Sequence, residues 1–437
     1  MTTVVAPPSV RAAGRPATSP SPALAPPAAI PLGFLAASGA GLAALGAGLV
    51  VAARTVAAVP TAPHVVAVAH LCMLGFLVTG VLGALHQFVP VVGGRRLRSN
   101  ALAALTLAVW VPAVAGIVAG FALDVPGLVA VSGAAAFAAL AAAGVNLSAP
   151  LAYGTGTPVT GLRWAVALLV ATAGFGVVYA FDRQAGWFPL FPVRVLAHAH
   201  LGLLGALGLA YVAVAEKLWP MFLLAHRPGR GPGALAVRLL PAGVLVLVGG
   251  LLVRSTPAAI AGATVACAGL GAHLASLAGF IRHRRRKLEL LHAFVLTGAV
   301  ALVSAVVLGA ASAFAPVGPL TRMHLAAAEI AGLAAWLGLA IVGHSHKIVP
   351  FISYTALRAR GVSRNGRGGP LLFADLYDAR LARVSYAAAT AGFALLIAGL
   401  ATAGPVLVAA AGALIVGCAV VTLLNLVTGP IRAGAWQ

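Results

Sequence analysis

Long apolar runs alternate with short polar loops over nearly the whole chain. Most runs contain about 18 residues or more, enough to cross the hydrocarbon core of a bilayer as an α-helix. We therefore predict an all-α integral membrane protein with about twelve transmembrane helices. The predicted helices span residues 31–54, 64–92, 100–122, 126–152, 162–181, 193–224, 237–254, 257–281, 290–316, 322–353, 383–403 and 405–429.

One pattern of polar residues recurs at an interval of 130 residues. The segments HLCMLGFLVTGVLGALHQFVP (residues 70–90) and HLGLLGALGLAYVAVAEKLWP (residues 200–220) both begin with histidine and end with proline. Each has an ionisable residue four positions before the proline, and this feature returns at His346 and Pro350. Internal repeats indicate repeated structural units. We predict a single domain (31–430) of three pseudo-repeated four-helix arcs, with helices two, six and ten facing inward. The repeat units cover about residues 31–155, 160–285 and 288–430.

Composition and charge exclude several classes of protein. Hydrophobic residues make up 61% of the chain and charged residues 8%, whereas soluble domains contain about 25% charged residues. The net charge of +21 does not indicate nucleic-acid binding, because the basic residues lie in loops between apolar runs. With twelve helices, 23 of the 28 Lys and Arg residues lie on the side of the two termini. This bias predicts that both termini are cytoplasmic in a prokaryotic-type plasma membrane. The Pro/Ala-rich composition of residues 1–30 predicts a disordered tail.

Ionisable residues inside the apolar runs are the candidate functional residues, because such groups are costly in a bilayer. They form two layers, at the outer and inner ends of helices two, six and ten. His198 and His200 are two positions apart, so on a regular helix they point in roughly opposite directions. The outer layer contains His70, His198, His200 and His324, and the inner layer contains His86, Glu216, His344 and His346.

These two layers suit different chemistry. Histidines on facing helices can provide axial nitrogens to a haem, and the outer layer is the candidate for that role. The inner layer could form a proton path, a metal site or a polar lock. Other histidines are better explained by helix ends or the membrane interface. These are His64, His226 and His283, whereas His273 and His292 fit either a structural or a functional role.

Over about residues 31–430 the chain resembles subunit I of the haem–copper oxidase superfamily, which includes the nitric oxide reductases. The resemblance rests on twelve helices, the threefold repeat and the outer histidines of helices two, six and ten. HLCMLGFLVTGVLGALHQFVP is similar to the family's second helix, and RMHLAAAE (residues 322–329) to the start of its tenth. The resemblance implies His70 and His324 as ligands of a low-spin, b-type haem. It implies His198 or His200 at a second centre with copper or non-haem iron.

The chain also departs from the oxidase pattern, and it resembles the NnrS family of haem proteins as well. Helix seven has no histidine, helix ten has one outer histidine instead of two, and Leu204 stands where the family has tyrosine. An incomplete binuclear centre is therefore implied, and enzymatic turnover stays open. Arg194 and Arg322 could pair with haem propionates or anchor helix ends at the interface.

Three functions follow as hypotheses. The first is a haem-binding protein of the bilayer that transfers electrons or handles a diatomic gas (O2 or NO), served by an electron-donor protein or quinol and by partner subunits. The second is a transporter or channel for a metal ion or small solute, which would use the same His and Glu layers. The third is an assembly or scaffold protein of a respiratory complex, in which the histidines would be dispensable.

Overall fold

Twelve helices long and apolar enough to cross a membrane form the protein, as the apolar runs predict. The computed structural model describes residues 24–189, 191–225 and 231–432, and this part of the chain contains no β-strand. Most of the predicted N-terminal tail (residues 1–23) and His226 lie outside the described residues. We name the spans α1 to α12. Their bounds are Ala29–Val51, Pro63–Gly93, Asn100–Ala122, Pro126–Tyr153, Thr157–Ala185, Pro192–Leu223, Pro232–Leu252, Thr256–Arg282, Leu290–Phe314, Pro319–Ala359, Ala379–Ala401 and Pro405–Ile431.

Two of the helices that extend beyond their predicted bounds are α5 and α10. Helix α5 begins at Thr157 instead of residue 162, and α10 spans 41 residues, Pro319–Ala359, instead of 322–353. Both helices have a proline in the first turn, where its fixed φ suits a helix and its missing N–H costs no hydrogen bond. The apolar runs underestimate these helices because their ends extend into polar sequence.

The helices pack so that α2, α6 and α10 lie towards the interior. In α6 and α10, 67% of the most apolar stretch is buried, and in α2 50% is buried, a value that only α7 equals. Both α2 and α6 pack against α10. At the periphery α4 packs against α5 and α12 packs against α1. Helices α8 and α9 meet in an apolar cluster that includes Leu277, Phe280, Leu291 and Val295.

The backbones of α2 and α6 share an irregular segment at the same repeat position. Leu71–Val78 in α2 and Leu201–Gly208 in α6 are π-helical, and the two segments are 130 residues apart. Each follows a histidine of the predicted outer layer, His70 or His200. Helix α10 remains α-helical throughout. Since π-helical segments are rare and often occur at functional sites, this match singles out the parts of α2 and α6 that follow His70 and His200.

A buried asparagine fixes the start of α3, and another fixes the start of α11. Asn146 of α4 accepts the Ser99 N–H at 2.9 Å and donates to the Ser99 carbonyl at 3.0 Å. Asn425 of α12 accepts the Asp378 N–H at 2.7 Å and donates to the Asp378 carbonyl at 2.9 Å. Both asparagines are fully buried. The same bidentate contact therefore orders two equivalent helix starts.

Candidate functional site

The outer layer is anchored by His70, directly before the π-helical segment of α2. Its Nδ1 lies 2.8 Å from the Val66 carbonyl, and its ring stacks on Phe121 with centroids 5.0 Å apart. A carbonyl oxygen only accepts, so Nδ1 must carry the hydrogen. In the neutral ring Nε2 then has the lone pair, and this is the arrangement that metal-ligating histidines use.

His198 of α6 lies near His70, close enough for charges on the two rings to interact. It packs against Phe175 and Tyr179 of α5, with centroid distances of 5.8 and 6.1 Å. Its Nδ1 is buried and has no hydrogen-bond partner among the described residues. The outer histidines of α2 and α6 thus each pack against aromatic rings, His70 against Phe121 and His198 against Phe175 and Tyr179.

His200 faces a different helix, as the two-residue spacing predicts. Its Nε2 lies 3.0 Å from Oε1 of Glu329 on α10, and its Nδ1 lies 2.8 Å from the Leu196 carbonyl. Because Nδ1 must donate to that carbonyl, one further proton is shared between Nε2 and the carboxyl group. The pair is either an imidazolium with a carboxylate or a neutral imidazole with a carboxylic acid. In both states its total charge is zero.

Glu329 is the residue that sequence reasoning missed at this site. It lies at the end of RMHLAAAE, and it is one of only seven acidic residues in the chain. An acidic side chain inside an apolar helix is a functional candidate by the same rule that selected the histidines. Glu329 stands one residue before Ile330, the position that is 130 residues after His200, so the repeat does not mark it.

The other predicted outer residues have separate surroundings. His324 is buried near the start of α10, and its Nδ1 has no hydrogen-bond partner among the described residues. Arg322 donates to the carbonyls of Ser312, Ala313 and Ala315 and so caps the end of α9. Arg194 donates to the Pro189 carbonyl at 2.7 Å. In this structure Arg322 thus stabilises a helix end and Arg194 the loop before α6, and their pairing with haem propionates stays a prediction.

The predicted inner residues are distributed over several helix contacts. His86 stacks on Phe34 of α1, and His346 stacks on Phe294 of α9, with centroids 5.1 and 5.9 Å apart. Glu216 lies against Gly233 at the start of α7. Across the described ranges, no three His, Cys, Asp or Glu residues are grouped closely enough to hold a metal ion. The metal role of His86, Glu216, His344 and His346 therefore stays a prediction.

Aromatic and imidazole rings from α6, α8 and α10, including His344 of the inner layer, form a buried cluster. Tyr211 contacts His273 and Trp336, each with a centroid distance of 5.4 Å, and His344 at 6.4 Å. The Tyr211 hydroxyl and both ring nitrogens of His273 are buried without partners among the described residues. We call Tyr211, His273, Trp336 and His344 the central cluster. An unpartnered buried polar group costs about 1–3 kcal/mol, so this concentration is unusual for a purely structural core.

A short polar link joins the central cluster to the surface. His292 of α9 lies near His344, and its Nδ1 accepts the backbone N–H of Glu289 at 2.9 Å. Because Nδ1 accepts, the hydrogen of a neutral His292 is on Nε2, whereas His344 donates from Nδ1 to Ala340 and keeps Nε2 as an acceptor. Glu289 in turn pairs with the partly exposed Lys347 at 2.5 Å. His292 thus has both a helix-capping role and a place in this link.

No protein-family model matches the sequence, and no curated protein is significantly similar to it. The residues of the chain itself therefore carry the functional assignment. Two arrangements stand out among them: the outer histidines of α2 and α6, and the polar groups that extend through α6, α8, α9 and α10.

Proposed function

We propose that the protein is a haem-binding membrane protein related to subunit I of the haem–copper oxidases. The supporting observation is His70, whose Nδ1 is held by the Val66 carbonyl so that Nε2 is the nitrogen able to bind iron. A hydrogen bond from the second ring nitrogen is the usual support of a metal-ligating histidine. The His70 ring also stacks on Phe121, and an aromatic side chain in this position suits the apolar face of a porphyrin.

The second axial ligand has two candidates in the same layer. His324, which the family resemblance implies, is buried and has an unpartnered Nδ1. His198 lies within electrostatic range of His70 and also has an unpartnered Nδ1. His200 is less suited in this conformation, because both of its ring nitrogens make hydrogen bonds.

A haem held by two histidines of this layer would supply one-electron transfer, whereas a haem held by His70 alone would keep a position for a diatomic gas. The residues of the chain would hold its iron on one side through His70 and enclose the ring with Phe121, Phe175 and Tyr179. We further propose that both termini are cytoplasmic in a prokaryotic-type plasma membrane, and that an electron-donor protein or a quinol is the partner.

Absorption spectra of purified variants test this proposal. We expect His70→Ala to remove the absorption of the haem that the outer layer holds, because it removes the ligand that both arrangements share. His64→Ala is the matched control, since His64 is exposed and lies six residues earlier on the same helix. Comparing His198→Ala with His324→Ala identifies the second ligand. If all four variants keep the wild-type haem spectrum, haem binding through the outer layer is refuted.

A second candidate function is proton-coupled transport of a small solute or metal ion. The favouring observation is that Glu329, the central cluster and the Glu289–Lys347 pair follow one another along α10. From residue 329 to residue 347 the helix rises about 27 Å, close to the roughly 30 Å thickness of the hydrocarbon core. Proteoliposomes that contain the wild type should take up protons if the protein is such a transporter. Glu329→Gln should abolish this uptake, and His64→Ala should preserve it. A colourless wild type without such uptake would refute both functions.

A further inference from the structure

An apolar cavity of about 230 Å³ lies between α1, α10 and α12, away from the histidines of the outer layer. Its walls include Leu35 and Leu42 of α1, Val349 of α10, and Leu423 and Val427 of α12. Val427 is 62% exposed on the outside of the helix bundle. Since lipid surrounds the bundle of an integral membrane protein, the cavity opens towards the hydrocarbon phase.

The cavity follows from the way in which α1 and α12 cross. A Cβ atom on Gly46 would meet the carbonyl oxygen of Gly412 at 2.6 Å, and one on Gly412 would meet that of Gly46 at the same distance. The two backbones therefore touch near residue 46. Towards Leu32 of α1 and Pro430 of α12, larger side chains separate the helices, and α10 does not fill the space between them. The glycine contact thus fixes one closed end of the cavity.

The length and polarity of the cavity match one hydrocarbon chain. Its α10 wall runs from Ile341 to Ser353, twelve residues or about 18 Å of helix. One leaflet of a bilayer contributes about half of the roughly 30 Å hydrocarbon core. The hydroxyls of Ser38 and Ser345 in the wall already donate to the carbonyls of Phe76 and Ile341. An occupant that needs no hydrogen bonds along its length therefore fits best.

Basic residues lie beside the end of the cavity that is remote from the glycine contact. Asn425 of α12 binds the backbone of Asp378, and a Cβ on Gly429 would touch the Leu376 carbonyl. These contacts place the start of α11 against the part of α12 that lines the cavity near Pro430. Arg380 and Arg383 are exposed at this helix start. Arginine side chains near a membrane surface attract anionic headgroups.

We propose that this cavity binds one acyl chain of an anionic phospholipid, whose headgroup lies at Arg380 and Arg383. The lipid would fill the gap between α1, α10 and α12 and would connect this face of the bundle to one leaflet. The site is independent of the outer histidines, so it stands whether or not the protein binds haem.

Native mass spectrometry of the purified protein, titrated with phosphatidylglycerol or phosphatidylcholine, tests the proposal. We expect phosphatidylglycerol to bind at least fivefold more tightly than phosphatidylcholine. Val349→Phe, which fills the cavity, should weaken phosphatidylglycerol binding at least tenfold. Val420→Phe is the matched control, because Val420 is an exposed residue of α12 outside the cavity wall. If Val349→Phe does not fold, Ser353→Leu obstructs the same cavity at its wide end.

The headgroup assignment has its own test. Replacing Arg380 and Arg383 together by Gln should reduce phosphatidylglycerol binding to the level of phosphatidylcholine and leave phosphatidylcholine binding unchanged. The proposal is overturned if the cavity-filling variant and its control bind phosphatidylglycerol equally, or if the two lipids bind the wild type equally. Retention of an isoprenoid quinone instead of a phospholipid would also overturn it.

Discussion

Removing the carboxyl group of Glu329 should lower the free energy of unfolding, because this group is the partner of His200 in a largely buried pair. The His200 side chain is 8% exposed and that of Glu329 17%, and the atoms Nε2 and Oε1 are 3.0 Å apart. Breaking a buried pair by removing one partner costs about 3–5 kcal/mol. We take about 3 kcal/mol for Glu329→Ala, the lower end of that range, because Glu329 retains some exposure.

Glu329→Gln distinguishes the contribution of the hydrogen bond from that of the shared proton, because glutamine keeps the first and lacks the second. The amide of Gln can donate to Nε2 of a neutral His200, while Nδ1 still donates to Leu196, so the expected loss is only about 1 kcal/mol. The free energy of unfolding can be measured by tryptophan fluorescence in mixed detergent micelles with increasing denaturing detergent. In a double-mutant cycle with His200→Ala, residues in direct contact should show a coupling of about 2 kcal/mol.

The matched control for Glu329 is Asp124→Asn. Asp124 pairs with Arg183 but is mostly exposed, and exposed pairs contribute about 0–1 kcal/mol. If Glu329→Ala is no more costly than Asp124→Asn, or if the cycle shows no coupling, the pairing of His200 with Glu329 is wrong.

Three further predictions concern packing and can use the same unfolding measurement. Asn146→Ala and Asn425→Ala should each cost about 2 kcal/mol by leaving buried backbone groups unpaired. Ser148→Ala removes only solvent-exposed hydrogen bonds and should change stability by less than about 0.5 kcal/mol, so equal effects would contradict the bidentate contacts. Tyr211→Phe should change stability by less than about 1 kcal/mol, since the Tyr211 hydroxyl has no partner among the described residues. Trp336→Ala, in the same cluster, should cost about 4 kcal/mol. A large loss of stability in Tyr211→Phe would show that the hydroxyl binds a group. Gly412→Val should cost about 2 kcal/mol or more, because the new side chain clashes with α1. Gly417→Ala should be tolerated, since a Cβ at Gly417 meets nothing within 4 Å. A Gly412→Val variant as stable as the wild type would contradict the close crossing of α1 and α12.

The number and approximate bounds of the helices follow from the sequence because each span must be apolar over the thickness of a bilayer. The spacing of His198 and His200 likewise predicts that they face different helices, since helical rotation fixes their directions. The π-helical segments after His70 and His200 could not be predicted in this way. Helical periodicity assumes a regular α-helix, and the structure departs from one over Leu71–Val78 and Leu201–Gly208.

The candidate site is only partly predictable because side-chain partners come from helices distant in sequence. The repeat identified His70 and His200 but not Glu329, which stands one residue outside the repeat. The central cluster combines His273, Tyr211 and Trp336 from helices with no common motif. Asn146 and Asn425 also share no local pattern that separates them from other polar residues in apolar runs. Their partners are 47 residues earlier in the chain, and only the packed structure shows that each contact is the same.

Haem content of the purified protein tests the central proposal most directly. The protein should be produced with ample haem, and wild type and His70→Ala should be compared by pyridine haemochrome quantification. We predict b-type haem in at least a one-to-one ratio to the wild-type chain and the loss of one haem per chain in His70→Ala, with His64→Ala unchanged. A wild type that is folded but contains no haem, or a His70→Ala variant with the full amount, would contradict the proposal.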